Sequence, residues 1–304
     1  MADPIIIPPI PATNPERPLL GIMLRLAAMA MLGVMFALVK MAGNRGVHVS
    51  ESLFWRQLAG LPVVMLWLWW TNNLGSIRTK RPMAHALRTG LGLTSMCLNF
   101  LAMMLLPMAA ATTIGFAMPI FATMLAALLL GEATGRYRWA AIFLGFIGVL
   151  VAVQPGQGAI HGPGALVAIS GALLTACVAI QLRRMSKEES TGAIVFWFSL
   201  CSLPPLGIAM LFFGRSHDGA TWLVIAGLAA AGAIAQILLT AAMRHASVAA
   251  ILTMDYSGLI WSILFGYLLF DDIPGIGIFL GAPIIIAAGL IIAWREQHLA
   301  RQRP

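Results

Sequence analysis

Apolar residues run along this chain in blocks of about 20, separated by short polar or Gly/Pro-rich breaks and without sustained alternation. At 1.5 Å per helical residue, a block of that length matches a hydrocarbon core of roughly 30 Å. The pattern predicts ten membrane-spanning helices, near residues 19–41, 50–71, 84–106, 109–130, 138–154, 163–183, 191–213, 220–242, 248–269 and 274–294. The period-2 alternation of an outer-membrane barrel is absent, and irregular backbone cannot cross hydrocarbon unsatisfied, so the expected fold is all-α and polytopic.

Two stretches of this pattern repeat one another. Ala102 to Glu132, AMMLLPMAAATTIGFAMPIFATMLAALLLGE, lays without gaps on Ala242 to Asp272, AMRHASVAAILTMDYSGLIWSILFGYLLFDD. Upstream, the run from Phe54 to Pro62 resembles that from Phe196 to Pro204, and downstream GVLVAV from Gly148 parallels GLIIAW from Gly289. Weak internal duplication of this kind marks a carrier built from structural repeats with its site between them. Each half holds five helices, an odd number, so the second copy enters the membrane from the opposite side and the repeats are inverted. The expected organisation is a disordered tail over 1–18, a first repeat over 19–155 (helices 1–5), a linker over 156–162, a second repeat over 163–295 (helices 6–10) and a C-terminal tail over 296–304.

Composition agrees: 60% hydrophobic residues, 10% charged and a mean hydropathy of +0.89 exclude a soluble domain. A net charge of +8 would suit nucleic acid, but the cations are sorted by loop. With the N-terminus inside, one face collects Arg17, Arg25, Arg78, Lys80, Arg81, Arg88 and nine others, against Arg45 and Arg215 on the other. That asymmetry is a positive-inside signal, which places both termini in the cytoplasm of a bacterial-type inner (plasma) membrane and leaves no nucleic-acid partner. The first eighteen residues carry six prolines and no basic start followed by an apolar stretch, so they read as a tail rather than a cleaved signal.

Little conventional chemistry is written here. The histidines at 48, 85, 161, 217, 245 and 298 map to loops, helix ends or the tail, and Cys97, Cys177 and Cys201 fall singly inside predicted helices as small packing residues. HExxH, GxxxxGK[ST] and a buried Ser, His and Asp set are all missing, so neither a metal, a cofactor, catalysis nor ATP drive is expected.

The ten-helix duplication, the segment PIFATMLAALLLGE followed by a Gly-rich helix ending GVLVAVQPG, and YSGLIWSILFGYLLFDDIP in the second half resemble EamA-type members of the drug/metabolite transporter superfamily. The resemblance spans about residues 20 to 295. It implies a ten-helix, inverted-repeat inner-membrane carrier working by alternating access. Members export amino acids and other metabolites or take up compounds such as flavins or S-adenosylmethionine. Asp271-Asp272 departs from the Gly-Glu more usual at the end of the ninth helix.

An ionisable group in hydrocarbon costs roughly 2.5 to 3.5 kcal/mol on insertion scales, so each needs a reason. Arg56 lies six residues into helix two, about 9 Å below its outer end, where its repeat counterpart is the apolar Phe198. It either lines a cavity or snorkels to the headgroups, and the family resemblance, in which an Arg commonly occupies this place, favours the cavity. Lys40 ends helix one on the same side, a neighbour of Arg56 across a vestibule or a second snorkelling cation. Asp255, about 12 Å from the inner end of helix nine, is too short to snorkel and must be paired, protonated or facing water. Tyr256 beside it, Asn99 and Gln236 at nearly matched places in the repeats, and the deep Trp261 complete the candidate substrate-binding set; Trp55 and Trp197 read as interface anchors. Pro62, Pro204 and Pro119 are candidate hinges, and Pro283 adds a bend. Gly277 to Gly281 forms a small-xxx-small face for close helix contact or dimerisation.

The expected function is secondary transport of small organic metabolites, amino-acid-like or otherwise anionic or zwitterionic. The expected partners are a small-molecule substrate and membrane lipid, and the chain is a monomer or homodimer. Uptake of a flavin-, nucleoside- or S-adenosylmethionine-like solute is the alternative within the class; an intramembrane enzyme on a lipid-borne substrate is the alternative outside it.

Overall fold

A computed structural model describes residues 18–70, 74–79, 81–130, 136–154, 162–186, 188–245 and 254–301. The tail expected over 1–18, apart from its last residue, and the linker up to residue 161 lie outside the described residues, as does Glu132. The helices are α1 (Pro18–Asn44), α2 (Val49–Trp70), α3 (Pro82–Leu105), α4 (Met108–Gly115), α5 (Met118–Leu130), α6 (Arg136–Val153), α7 (Gly162–Met185), α8 (Thr191–Phe213), α9 (Gly219–His245), α10 (Gly258–Phe270) and α11 (Ile276–Arg301), with one 3-10 turn at Leu74–Ile77. No strand occurs among the described residues, and six of the helical segments are long and apolar enough to cross a membrane by length and composition. Local chemistry sets several ends: proline opens α3, and Ser190 caps α8 by accepting from the Ala193 amide at 3.0 Å. The last helix outruns its apolar block, because WREQHLAR from Trp294 is made mostly of good helix formers.

Two spans are broken, at places that the repeat alignment superposes. The fourth is interrupted at Phe116-Ala117 between α4 and α5; the ninth turns at Tyr256-Ser257 before α10. Tightened backbone bonds mark both breaks, from the Ala117 amide to Ile114 O (3.0 Å) and from the Ser257 amide to Met254 O (3.0 Å). The rings of Phe116 and Tyr256 meet edge to face at 5.1 Å, so the breaks touch. Pro119 lies just past the first break, whereas the second contains no proline. Pro62 and Pro204, read above as hinges, sit inside α2 and α8, neither of which is interrupted. A membrane helix accommodates proline when neighbours satisfy the freed carbonyl, so proline position alone does not locate a break.

Packing respects the duplication. α1 lies against α9 and α10, while its counterpart α7 lies against α3, α4 and α5; α2 meets α8, α6 meets α11, and α4 meets α10. Exchanging the two halves maps this set onto itself, as a two-fold between inverted repeats requires. The α6–α11 seam is close: a Cβ at Gly281 would lie 2.6 Å from both Gly148 O and the Ala152 Cβ. The Gly277 to Gly281 face is therefore occupied by α6 of the same chain.

Two ion pairs clamp α1 to the ninth span. Arg25 donates from Nε to Asp255 Oδ1 (2.5 Å) and from Nη2 to Oδ2 (2.7 Å), while Lys40 donates from Nζ to Asp272 Oδ2 (2.7 Å) and to Leu106 O (2.8 Å). Both cations are only 8% exposed, so Arg25 is not the loop cation that its sequence position suggests. Breaking one partner of such a pair strands a partly buried charge. Arg25→Met is expected to cost about 3 kcal/mol of stability, and Arg25→Met with Asp255→Leu to restore most of it. Detergent unfolding curves of the single and double variants check this; equal losses in both would remove the coupling.

Candidate functional site

A cavity of about 520 Å³ lies between α2, α3, α7, α8 and α9, at the interface of the two repeats. It brings together three of the residues singled out above, Arg56, Asn99 and Gln236, and adds Arg88, Gln57, Ser95, Thr175 and Phe198. Lys40, Asp255, Tyr256 and Trp261 do not line it. Lys40 and Asp255 are held in the clamps just described; the Tyr256 hydroxyl abuts Gly289, and Trp261 packs on Phe265 and against Gly33. Asp255 thus takes the paired alternative, with Arg25, which reaches it from α1 across 230 residues of chain.

Arg56 is positioned from its own helix and from across the interface. Its Nη1 donates to Gln57 Oε1 at 2.8 Å, Gln57 Nε2 donates to Ser202 Oγ on α8 at 2.7 Å, and Ser202 donates on to Phe198 O. Gln57 and Ser202 are buried, so this chain of bonds fixes the guanidinium relative to the second repeat. Gly232 on α9 leaves room for the Arg56 stem, since a Cβ there would stand 3.4 Å from Arg56 Cγ. Arg56 Nε is buried without an acceptor, and among the described residues no carboxylate pairs with Arg56. One turn along α3 from Ser95, Asn99 Nδ2 donates to Ser95 O (2.9 Å) and to Thr175 Oγ1 on α7 (3.1 Å). A cation without a counter-ion, beside a polar strip and between apolar walls, is the arrangement that attracts an anionic group.

A matching pair of contacts lies at each end of the cavity. At one, Glu51 Oε1 on α2 meets His217 Nε2 at 3.0 Å, His48 stacks on Phe213 at 4.2 Å, and Trp55 meets Trp222 edge to face at 5.4 Å. At the other, Glu189 Oε2, just before α8, approaches His85 Nε2 on α3 at 3.6 Å, and Trp197 Nε1 donates to Ile77 O at 2.9 Å. In both cases the glutamate comes from one repeat and the histidine from the other, and all four side chains are almost fully buried. The cavity extends toward the Glu189 end, where Leu182, Ser186 and Thr191 line it. A second cavity of about 410 Å³, reaching Trp70 and His245, shares its walls at Val64, Thr191, Val195 and Gln236. On α2 and α9, Glu51 and Trp222 stand beyond Arg56 and Gly232, so the aromatic contacts and the tighter glutamate–histidine contact lie at that end.

Sequence reasoning missed Arg88, grouped above with loop cations, and Gln57, which a run-of-helix reading leaves as an ordinary neighbour of Arg56. A signal was available for Arg88: it lies four residues inside the predicted span 84–106, within an apolar block rather than in the loop before it.

The EamA-like transporter family model matches residues 19–154 and 162–294. A pseudopaline exporter of Pseudomonas aeruginosa is 24% identical over 90% of this chain and 95% of its own length. A riboflavin transporter of Rhizobium johnstonii is 30% identical over 76% of each chain, and an S-adenosylmethionine uptake transporter of Rickettsia prowazekii is 27% identical over 85% of this chain and 87% of its own. One solved crystal structure superposes with a TM-score of 0.62 at 17% identity, over 93% of this chain and 99% of the other, which is a likeness of fold.

Proposed function

Because the chain belongs to the EamA-like transporter family of the drug/metabolite transporter superfamily, we propose that it is a secondary carrier whose central cavity binds a small anionic or zwitterionic metabolite through Arg56. The observation that carries this is the guanidinium of Arg56, held by Gln57 in a cavity of about 520 Å³ between the repeats with no carboxylate among the described residues that line it. Asn99 and Gln236 supply further hydrogen-bonding groups to the same volume. The relatives' names cover an exporter and uptake transporters of unlike solutes, so the choice of substrate class rests on the cavity's own charge.

Alternating access fits the twin ends. Rocking of repeat 19–155 against repeat 163–295 would open either glutamate–histidine contact as the other closes, with the broken spans at Phe116 and Tyr256 as the pivot. The cation-rich end, to which the cavity extends, faces the cytoplasm under the positive-inside rule.

Sealed proteoliposomes preloaded with unlabelled amino acids and organic acids test the reading by counterflow of the isotope-labelled compounds. Accumulation of at least one acidic compound, recovered chemically unchanged, is the expected result. Recovery of an altered compound would favour the intramembrane enzyme, and counterflow confined to cations would remove Arg56 as the anchor.

A further inference from the structure

Arg88 is the second cation of the cavity. It lies on α3 with Nε and Nη1 buried and without an acceptor, and its guanidinium stacks on the Phe198 ring at 4.3 Å. A side chain at Gly92 would collide with both Nη1 and Phe198, so the glycine makes the recess in which the stacked guanidinium sits. Snorkelling is the usual relief for an Arg near a helix end. Here the group instead points up its own helix to the level of Gly92, against the ring of the other repeat.

Arg56 reaches the Met96 side chain of α3, and Met96 and Gly92 are one turn, roughly 6 Å, apart along that helix, so the two guanidiniums meet α3 at neighbouring turns. Two like charges so placed between apolar walls repel one another far more than in water. No described carboxylate pairs with either, and both are pinned by neighbours, Gln57 for one and Phe198 for the other. An anion that meets both relieves the repulsion and supplies the missing acceptors at once.

We infer that the solute of this cavity is a small dianion whose two acidic groups stand a few bonds apart, one on Arg56 and one on Arg88. This rests on the reading of Arg56 as the anchor and adds the second charge. Phe198, by stacking on Arg88, is the positioning residue that presents it. The apolar counterpart of Arg56 in the repeat alignment therefore serves the same site from the opposite half.

Thermal unfolding of the purified protein tests it with matched probes: malonate against propanoate, succinate against butyrate, and glutarate against pentanoate. Each dianion that fits is expected to bind roughly tenfold or more tightly than its monoanionic match, with an optimum chain length. Arg88→Gln is expected to erase that margin, weakening dianion binding far more than monoanion binding; Arg88→Lys, which keeps the charge, retains part of it. Phe198→Leu lowers the margin in the same direction and by less than Arg88→Gln does. Equal binding of monoanions and dianions, dependent on Arg56 and indifferent to Arg88, would overturn the two-charge site and leave the anionic anchor standing. Binding of none of the probes, or binding indifferent to Arg56, would overturn both.

Discussion

Arg56→Ala is expected to reduce transport roughly 10- to 100-fold, the loss of one or two charge-assisted hydrogen bonds to a bound anion, while the protein stays folded and inserted. Retained folding follows from the residue's surroundings. Among the described residues Arg56 has no ion-pair partner, so its removal strands no described carboxylate, unlike removal of Arg25 or Lys40. The scaffold accepts an aromatic ring at the matched place in the second repeat, Phe198. What truncation does strand is Gln57 Oε1, which keeps its tie to Ser202 through the other end of the amide. Arg56→Lys separates charge from geometry: an ammonium supplies the charge without the planar fork, so transport should fall between parent and Ala. Counterflow in proteoliposomes at matched protein content measures this, beside a melting curve for each variant. Full transport by Arg56→Ala would leave the residue a packing group with no role in the path.

The architecture was legible because membrane insertion writes itself in one dimension. Runs of about 20 apolar residues set the spans, parity of the count sets their inversion, and the gap-free match from Ala102 to Glu132 aligns the broken spans. The breaks were only half legible. Pro119 pointed near the first, but at Tyr256-Ser257 nothing punctuates the helix except the glycine that follows. The site was legible only as far as single residues go. An unusual residue in an apolar run announces itself, as Arg56, Asp255 and Lys40 did, but its partner depends on which helix packs across from it. Asp255 and Arg25 are 230 residues apart, and Lys40 and Asp272 are 232 apart, distances over which no periodicity speaks. The same blindness hid Arg88, whose meaning comes from the Phe198 ring and the bare backbone at Gly92.

Fastening the Glu51 end shut is expected to abolish transport, reversibly. In a background lacking Cys97, Cys177 and Cys201, Glu51→Cys with His217→Cys places two thiols where the side chains now meet at 3.0 Å. A carboxylate–imidazole contact leaves the two Cβ atoms farther apart than the roughly 3.5 to 4.5 Å of a disulfide, so a short bis-methanethiosulfonate linker bridges them better than oxidation does. Replacing both members together leaves no lone buried charge, so the unlinked double variant should still carry substrate. If the repeats must separate at this end for the solute to leave, linking stops counterflow and a reductant restores it. The other end gives the control. His85→Cys with Glu189→Cys replaces a looser contact of 3.6 Å beside an extended cavity, and its linkage should also stop transport while leaving the Arg56 cavity closed to probes added from that side. A carrier with either end tied and undiminished counterflow would mean that the solute passes by a route other than the one between α2, α3, α8 and α9.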